Sequence, residues 1–189
     1  MSKNVSMLLV LFLVTILVGC RSDAEPSRYS TALEAYEQIK PAMLAWHEDA
    51  VVLYILTWHS ERPDWRIRAD GRSSRWSFSV CSPSAQKGTR IAWIEGRIRV
   101  GMPDVAGGEV STSCRVEGVP LDSIIDSDRA CAIALENGAG PADTLIWIRT
   151  YHDRRSWEMT FGELYDLLGE KQVLIDAMTG EVVQNDFRE

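Results

Sequence analysis

One stretch of this chain occurs twice, 93 residues apart. Leu53-Tyr-Ile-Leu-Thr-Trp-His59 aligns with Ile146-Trp-Ile-Arg-Thr-Tyr-His152; Ile, Thr and His are identical, and both aromatic positions are kept. Two further matches follow in the same order. Trp76-Ser-Phe-Ser-Val80 aligns with Trp157-Glu-Met-Thr-Phe161 across a longer loop in the first copy, and Gly96-Arg-Ile98 aligns with Gly180-Glu-Val182. Chance supplies one such match readily, but three in order point to a tandem duplication. A repeated sequence repeats its local structure, so the chain is expected to build the same small unit twice.

The unit itself is readable from periodicity. Ala32, Ala35, Tyr36, Ile39, Met43 and Trp46 recur at steps of three and four, which lines up one face of a helix. Ser30 is its expected N-cap, and Pro41 is expected to kink or split it. A second helix is expected over Asp126–Asn137, capped by Asp126 or Ser127 and ended by Gly138. Val51–Trp58 reads as a strand. Arg75–Cys81 alternates, with Trp76, Phe78 and Val80 on one face and Ser77, Ser79 and Cys81 on the other, as a half-buried strand does. Asp70-Gly71 marks a turn and Ser82–Gly88 a loop, and short strands over Thr89–Glu95 and Arg97–Val100 meet at Gly96. Residues 101–120, rich in Gly and Pro, read as a connector with a short strand around Cys114.

Residues 1–19 carry an export signal. Lys3 precedes an apolar run from Val5 to Val18, broken only by Ser6 and Thr15 and ended by Arg21, Asp23 and Glu25. A membrane-spanning helix needs about 20 apolar residues, so the run fits a signal peptide better. Leu17-Val18-Gly19-Cys20 resembles the lipobox of bacterial lipoproteins. That resemblance implies cleavage before Cys20, a diacylglyceryl group on its thiol, and a lipid-anchored place on the cell membrane or outer membrane, facing periplasm or exterior. The alternative is an ordinary secretory signal with a chance cysteine. Residues 20–29 then form a tether. Loss of Lys3 with the signal takes the net charge from −7 to −8, which argues against nucleic acid or anionic lipid as the main partner. Export also favours one disulfide among Cys81, Cys114 and Cys131, with the pairing open and the odd cysteine buried or free.

The end of the chain, Val173-Leu-Ile-Asp-Ala-Met-Thr-Gly-Glu-Val-Val183, resembles the closing hairpin of PepSY and PepSY-like domains. Asp128-Arg-Ala130, Ala134 and Trp157 fit the same unit, and Asp70-Gly71, Trp76 and Ser82-Pro83 mark a more diverged first copy. The resemblance covers most of residues 30–100 and 124–184. It implies an α+β fold of two repeated units, each one helix across a curved antiparallel sheet, similar to cystatin. It also implies a noncatalytic binding or regulatory module, found in peptidase propeptides and in many exported proteins.

Catalytic patterns are lacking in the sequence. There is no Gly-x-Ser-x-Gly and no Cys-x-x-Cys, Cys81 has no histidine near it in sequence, and Gly107-Gly108 is not followed by a helix signature. No cofactor is expected. His59 and His152, at matched repeat positions with Glu61 and Asp153 nearby, could sketch a metal site, but histidines where a strand runs into a charged loop are common. The aromatic residues carry more. Tyr54 and Trp58 share one strand face, with Val51, Leu53 and Ile55 on the other, and Trp147 and Tyr151 share a face opposite Ile146 and Ile148. A helix covers one side of each sheet, so these stripes either bury each other where the units pack or form a groove that grips a peptide, glycan or protein.

The expectation is therefore a signal at 1–19, a tether at 20–29, repeat 1 at 30–100, a connector at 101–123 and repeat 2 at 124–189. The expected role is a lipid-anchored, noncatalytic envelope protein that binds or modulates an unknown protein partner, with a peptidase as one candidate. A structural lipoprotein of an envelope assembly is the second reading, and a metal binder or enzyme the third.

Overall fold

A computed structural model describes residues 28–58, 67–101, 118–139, 145–151, 156–161 and 171–188. The fold is α+β. Helix α1 spans Ala32–Trp46 and α2 spans Ser127–Glu136. The strands are β1 (Val51–Trp58), β2 (Arg75–Ser82), β3 (Lys87–Ile94), β4 (Arg97–Val100), β5 (Leu145–Tyr151), β6 (Ser156–Phe161), β7 (Lys171–Asp176) and β8 (Val182–Asn185). They make one antiparallel sheet in the order β4-β3-β2-β1-β5-β6-β7-β8. The chain thus runs outward from the centre twice, each time after a helix, and β1 and β5 join the halves edge to edge. Both helices lie on one face.

Local chemistry explains where each helix begins. Thr31, one residue past the expected cap, is the N-cap of α1: its hydroxyl accepts from Glu34 N and the Glu34 carboxylate accepts from Thr31 N, a capping box. Arg72 grips the same carboxylate with two bonds of 2.9 and 3.0 Å, and this holds Glu34 below the ordinary carboxylate range. Pro41 neither splits nor ends α1. Ile39 and Met43, buried on either side of it, hold the helix on the sheet and outweigh the missing backbone bond. Asp126 caps α2.

The two helix N-termini meet. Asp126 accepts from Ser127 N at 2.6 Å, Leu33 N at 3.0 Å and the Thr31 hydroxyl at 2.5 Å. Ser127 Oγ accepts from Ala32 N at 3.0 Å and donates to the Gly71 carbonyl at 2.9 Å. The first four amides of α1 are thereby satisfied, two by its own cap and two from the other half.

Beneath the helices lies one continuous core that holds Trp76, Phe78, Trp93, Trp157, Met159 and Ile175, all fully buried. Trp76 donates to Ser30 O at 2.9 Å and Trp157 to Ile125 O at 2.7 Å; each acceptor is the residue just before a helix N-cap. Truncating a buried tryptophan costs about 3–5 kcal/mol, against about 5–15 kcal/mol for a whole domain. These rings therefore set how each helix sits on its strands.

Strand β1 departs from simple alternation. Its register against β2 slips between Val52 and Tyr54, which makes Leu53 the extra residue of a bulge. Val52 and Ile55 consequently share the helix face, while Val51 and Leu53 cluster with Cys81 and Tyr54 on the other. The expected grouping of Val51 and Leu53 with Ile55 is corrected for this reason. The β5–β6 register slips at the matching place, between Leu145 and Trp147. Across the central seam Tyr54 lies opposite Tyr151, Leu56 opposite Arg149, and Trp58 opposite Trp147.

Two predictions follow from the local geometry. Gly71 has φ +74°, and a Cβ there would lie 2.3 Å from Ser127 O, whereas Gly101 has φ +75° and open space around it. Gly101→Ala should cost about 1 kcal/mol and Gly71→Ala about 3 kcal/mol or more, because α2 must also shift. Equal losses in urea unfolding would contradict this account. Asp49 accepts from Ser82 Oγ at 2.6 Å and Ser84 N at 2.7 Å, and these bonds lower its pKa from 3.8 to about 2. The folded value lies below the unfolded one, so its stabilisation is present above about pH 4 and is lost as pH falls towards 2. NMR titration should place the Asp49 carboxyl midpoint near 2, and Asp49→Asn should flatten that part of the acid-unfolding curve.

Candidate binding face

The helix-free face of the sheet brings the sequence candidates together. The β1–β5 register puts Tyr54 and Tyr151 in one cross-strand pair and Trp58 and Trp147 in another, flanking the Leu56/Arg149 position. Directly opposed residues on one face of an antiparallel pair have Cβ atoms about 4.5–5.5 Å apart. The register thus sets the two stripes at neighbouring positions of one sheet. Tyr54 and Leu56 are half-buried at this seam.

Next to the aromatic seam the first half carries a group of arginines. Arg75 pairs with Ile94, Ile94 with Arg97, Ala92 with Arg99 and Ser79 with Arg90, so all four arginines share the helix-free face. Burial first, and then the charges of Arg90 and Arg99, push the Arg75 pKa below its ordinary value. Arg90 Nη2 donates to Tyr54 Oη at 2.9 Å, reaching from β3 to β1 over Ser79 of the intervening strand. At Ser79 that bridge accounts for a departure from expectation. Strand β2 is buried on both faces, with Ser79 1% and Ser77 2% exposed. Only a small side chain fits beneath the arginine–tyrosine link.

The second half presents a different chemistry on the same face. Ser156, Glu158 and Thr160 of β6 are all buried, and the register sets Glu158 opposite Arg149. A carboxylate buried to 3% exposure requires a counter-charge or hydrogen-bond donors around it. The arginine grouping was only partly visible in the sequence. Arg97-x-Arg99 shows the alternation, but Arg75 and Arg90 join it only through strand register.

The remaining candidates fall elsewhere. His59 and His152, with Glu61 and Asp153, lie outside the described residues, as do Cys20 and Cys114. Among the described residues no group of three or more His, Cys, Asp or Glu is placed to hold a metal, and no helix is long and apolar enough to cross a membrane. Cys81 is disulfide-bonded. Cys131 is free and buried on α2, with Sγ 3.8 Å from Met159 Sδ, and burial, followed by Asp70 and Asp128, pushes its pKa up to about 12. In the native protein Cys131 should resist iodoacetamide at mildly alkaline pH and react once denatured. Prompt alkylation of the folded protein would contradict this placement.

No family model and no curated protein sequence matches the chain. Among solved structures it is similar to a crystal structure from Clostridium difficile 630 of a protein described as a lipoprotein. The TM-score is 0.51 at 11% identity, over 79% of this chain and 90% of that one. The likeness is one of fold.

Proposed function

We propose that this chain is a lipid-anchored, noncatalytic protein of the bacterial cell envelope that binds or modulates a protein partner through the aromatic seam of its sheet. The observation that carries the reading is the pairing of Tyr54 with Tyr151 and Trp58 with Trp147 on the face without helices. Tyrosine and tryptophan supply large contact area at little entropic cost, which suits a recognition surface. The anchor rests on the lipobox-like Leu17-Val18-Gly19-Cys20, and the similar fold of a protein described as a lipoprotein agrees with it.

We further read the two halves as PepSY-like copies of one unit. The helices support this at a constant offset of 95. Buried Ala32, Ala35, Tyr36 and Ile39 of α1 correspond to buried Ser127, Ala130, Cys131 and Ala134 of α2. The bulge residues Leu53 and Ile146 correspond at the offset of 93, and the indole bonds of Trp76 and Trp157 correspond in kind. A peptidase is the partner class that the PepSY resemblance favours.

The test is an affinity pull-down of the acylated protein from its own membrane, read by mass spectrometry. A reproducible envelope partner should be recovered, and it should be lost on Trp58→Ala or Trp147→Ala while the variants keep the wild-type unfolding midpoint. Unfolded variants and an empty pull-down would make the seam part of the core and sink the reading. Fatty-acid labelling that persists in Cys20→Ser would remove the anchor.

A further inference from the structure

We infer that the outer edge of β4 takes up an extended acidic peptide, one whose carboxylate and apolar side chains alternate, as an added strand of the sheet. The inference concerns a place apart from the aromatic seam and does not rest on it. Among the described residues strand β4 ends the sheet, and all four of its residues are exposed. Gly101 N donates to Arg90 O at 3.1 Å, so position 101 turns its backbone groups inward. Antiparallel ladders alternate, so Arg97 and Arg99 also turn theirs inward, and Ile98 and Val100 present N–H and C=O to the outside. Such an edge is a template for another strand.

The side chains on this edge say which strand fits. Arg97 and Arg99 lie on the helix-free face, where Arg75 and Arg90 stand on neighbouring strands, in a chain whose net charge is −7. Ile98 and Val100 lie on the helix face and remain 40% and 48% exposed. A peptide with carboxylates at every second position would set them opposite Arg97 and Arg99 and its apolar residues opposite Ile98 and Val100. Two copies of this chain meeting β4 to β4 would bring like charges together, which disfavours self-pairing through this edge. An anionic bilayer would meet the arginines but leave the outward backbone groups of Ile98 and Val100 unmatched.

The experiment titrates the mature acylated protein, in detergent micelles, with a short fluorescent peptide of alternating glutamate and valine. A peptide of the same composition with its glutamates in one block is the control. The expected result is saturable binding, about tenfold weaker for the control, with hydrogen exchange slowed at residues 97–101. Arg97→Glu with Arg99→Glu should transfer the preference to a lysine–valine peptide. Val100→Pro, which removes one outward N–H, should abolish binding while the unfolding midpoint holds; if that variant misfolds, the charge-reversal pair still decides. Binding that persists in Trp58→Ala separates this edge from the aromatic seam. Equal binding of the blocked peptide would overturn the inference, and so would unchanged exchange at the edge. Arginine-dependent binding of phosphatidylglycerol vesicles without peptide binding would overturn it in favour of a bilayer, and sedimentation of a β4-dependent dimer in favour of a second copy.

Discussion

The fold turns on one carboxylate. Each helix N-terminus carries about half a positive charge and a row of unsatisfied amides. Two such ends pointed at one another would repel and leave donors stranded. Asp126 resolves both problems by capping its own helix while accepting from Leu33 N and the Thr31 hydroxyl of the other. Ser127 adds a bond to Ala32 N and ties in the Gly71 carbonyl, which stands beside Arg72 and its grip on Glu34. Both helices, and the turn that leads into β2, are thus fixed at one point.

From that point the helices lie over the sheet as two arms over one floor. The buried indoles of Trp76 and Trp157 each fasten a strand to the residue before a helix cap, so position is set by hydrogen bonds as well as by packing. The seam between β1 and β5 makes the floor continuous. The two halves therefore share a core, and loosening one removes support from the other. The helix-free face is left to carry polar and aromatic chemistry, with arginines on one side of the seam and a buried glutamate on the other.

Much of this was legible in the residues. The apolar spacing of Ala32 to Trp46 and the alternation of Trp76, Phe78 and Val80 gave helix and strand, because both periods survive into the packed molecule. Three features were not legible, for physical reasons. The bulge at Leu53 breaks alternation without a glycine to announce it. The edge-to-edge join depends on pairing between residues far apart in sequence, which no local pattern encodes. The burial of Ser79 follows from a link between Arg90 and Tyr54 that only the register reveals. The sequence suggested the aromatic positions as a stripe, but their opposition across the seam comes only from the register.

The central register has a consequence for descent. On the duplication reading, Leu56 and Arg149 are the same residue of the ancestral unit, and they lie directly opposite one another. Thr31 and Asp126 are likewise equivalents and bond to each other. Both are positions on a pseudo-twofold axis, as in a homodimer of single units, where each axial residue must face its own copy. Such a dimer can offer only hydroxyl to hydroxyl or carboxylate to carboxylate at the helix ends. On the same reading, joining two units in one chain lifts that restriction, so that a hydroxyl can face a carboxylate across the axis. The Thr31–Asp126 bond is thus an asymmetry open to a single polypeptide and closed to a symmetric dimer of single units.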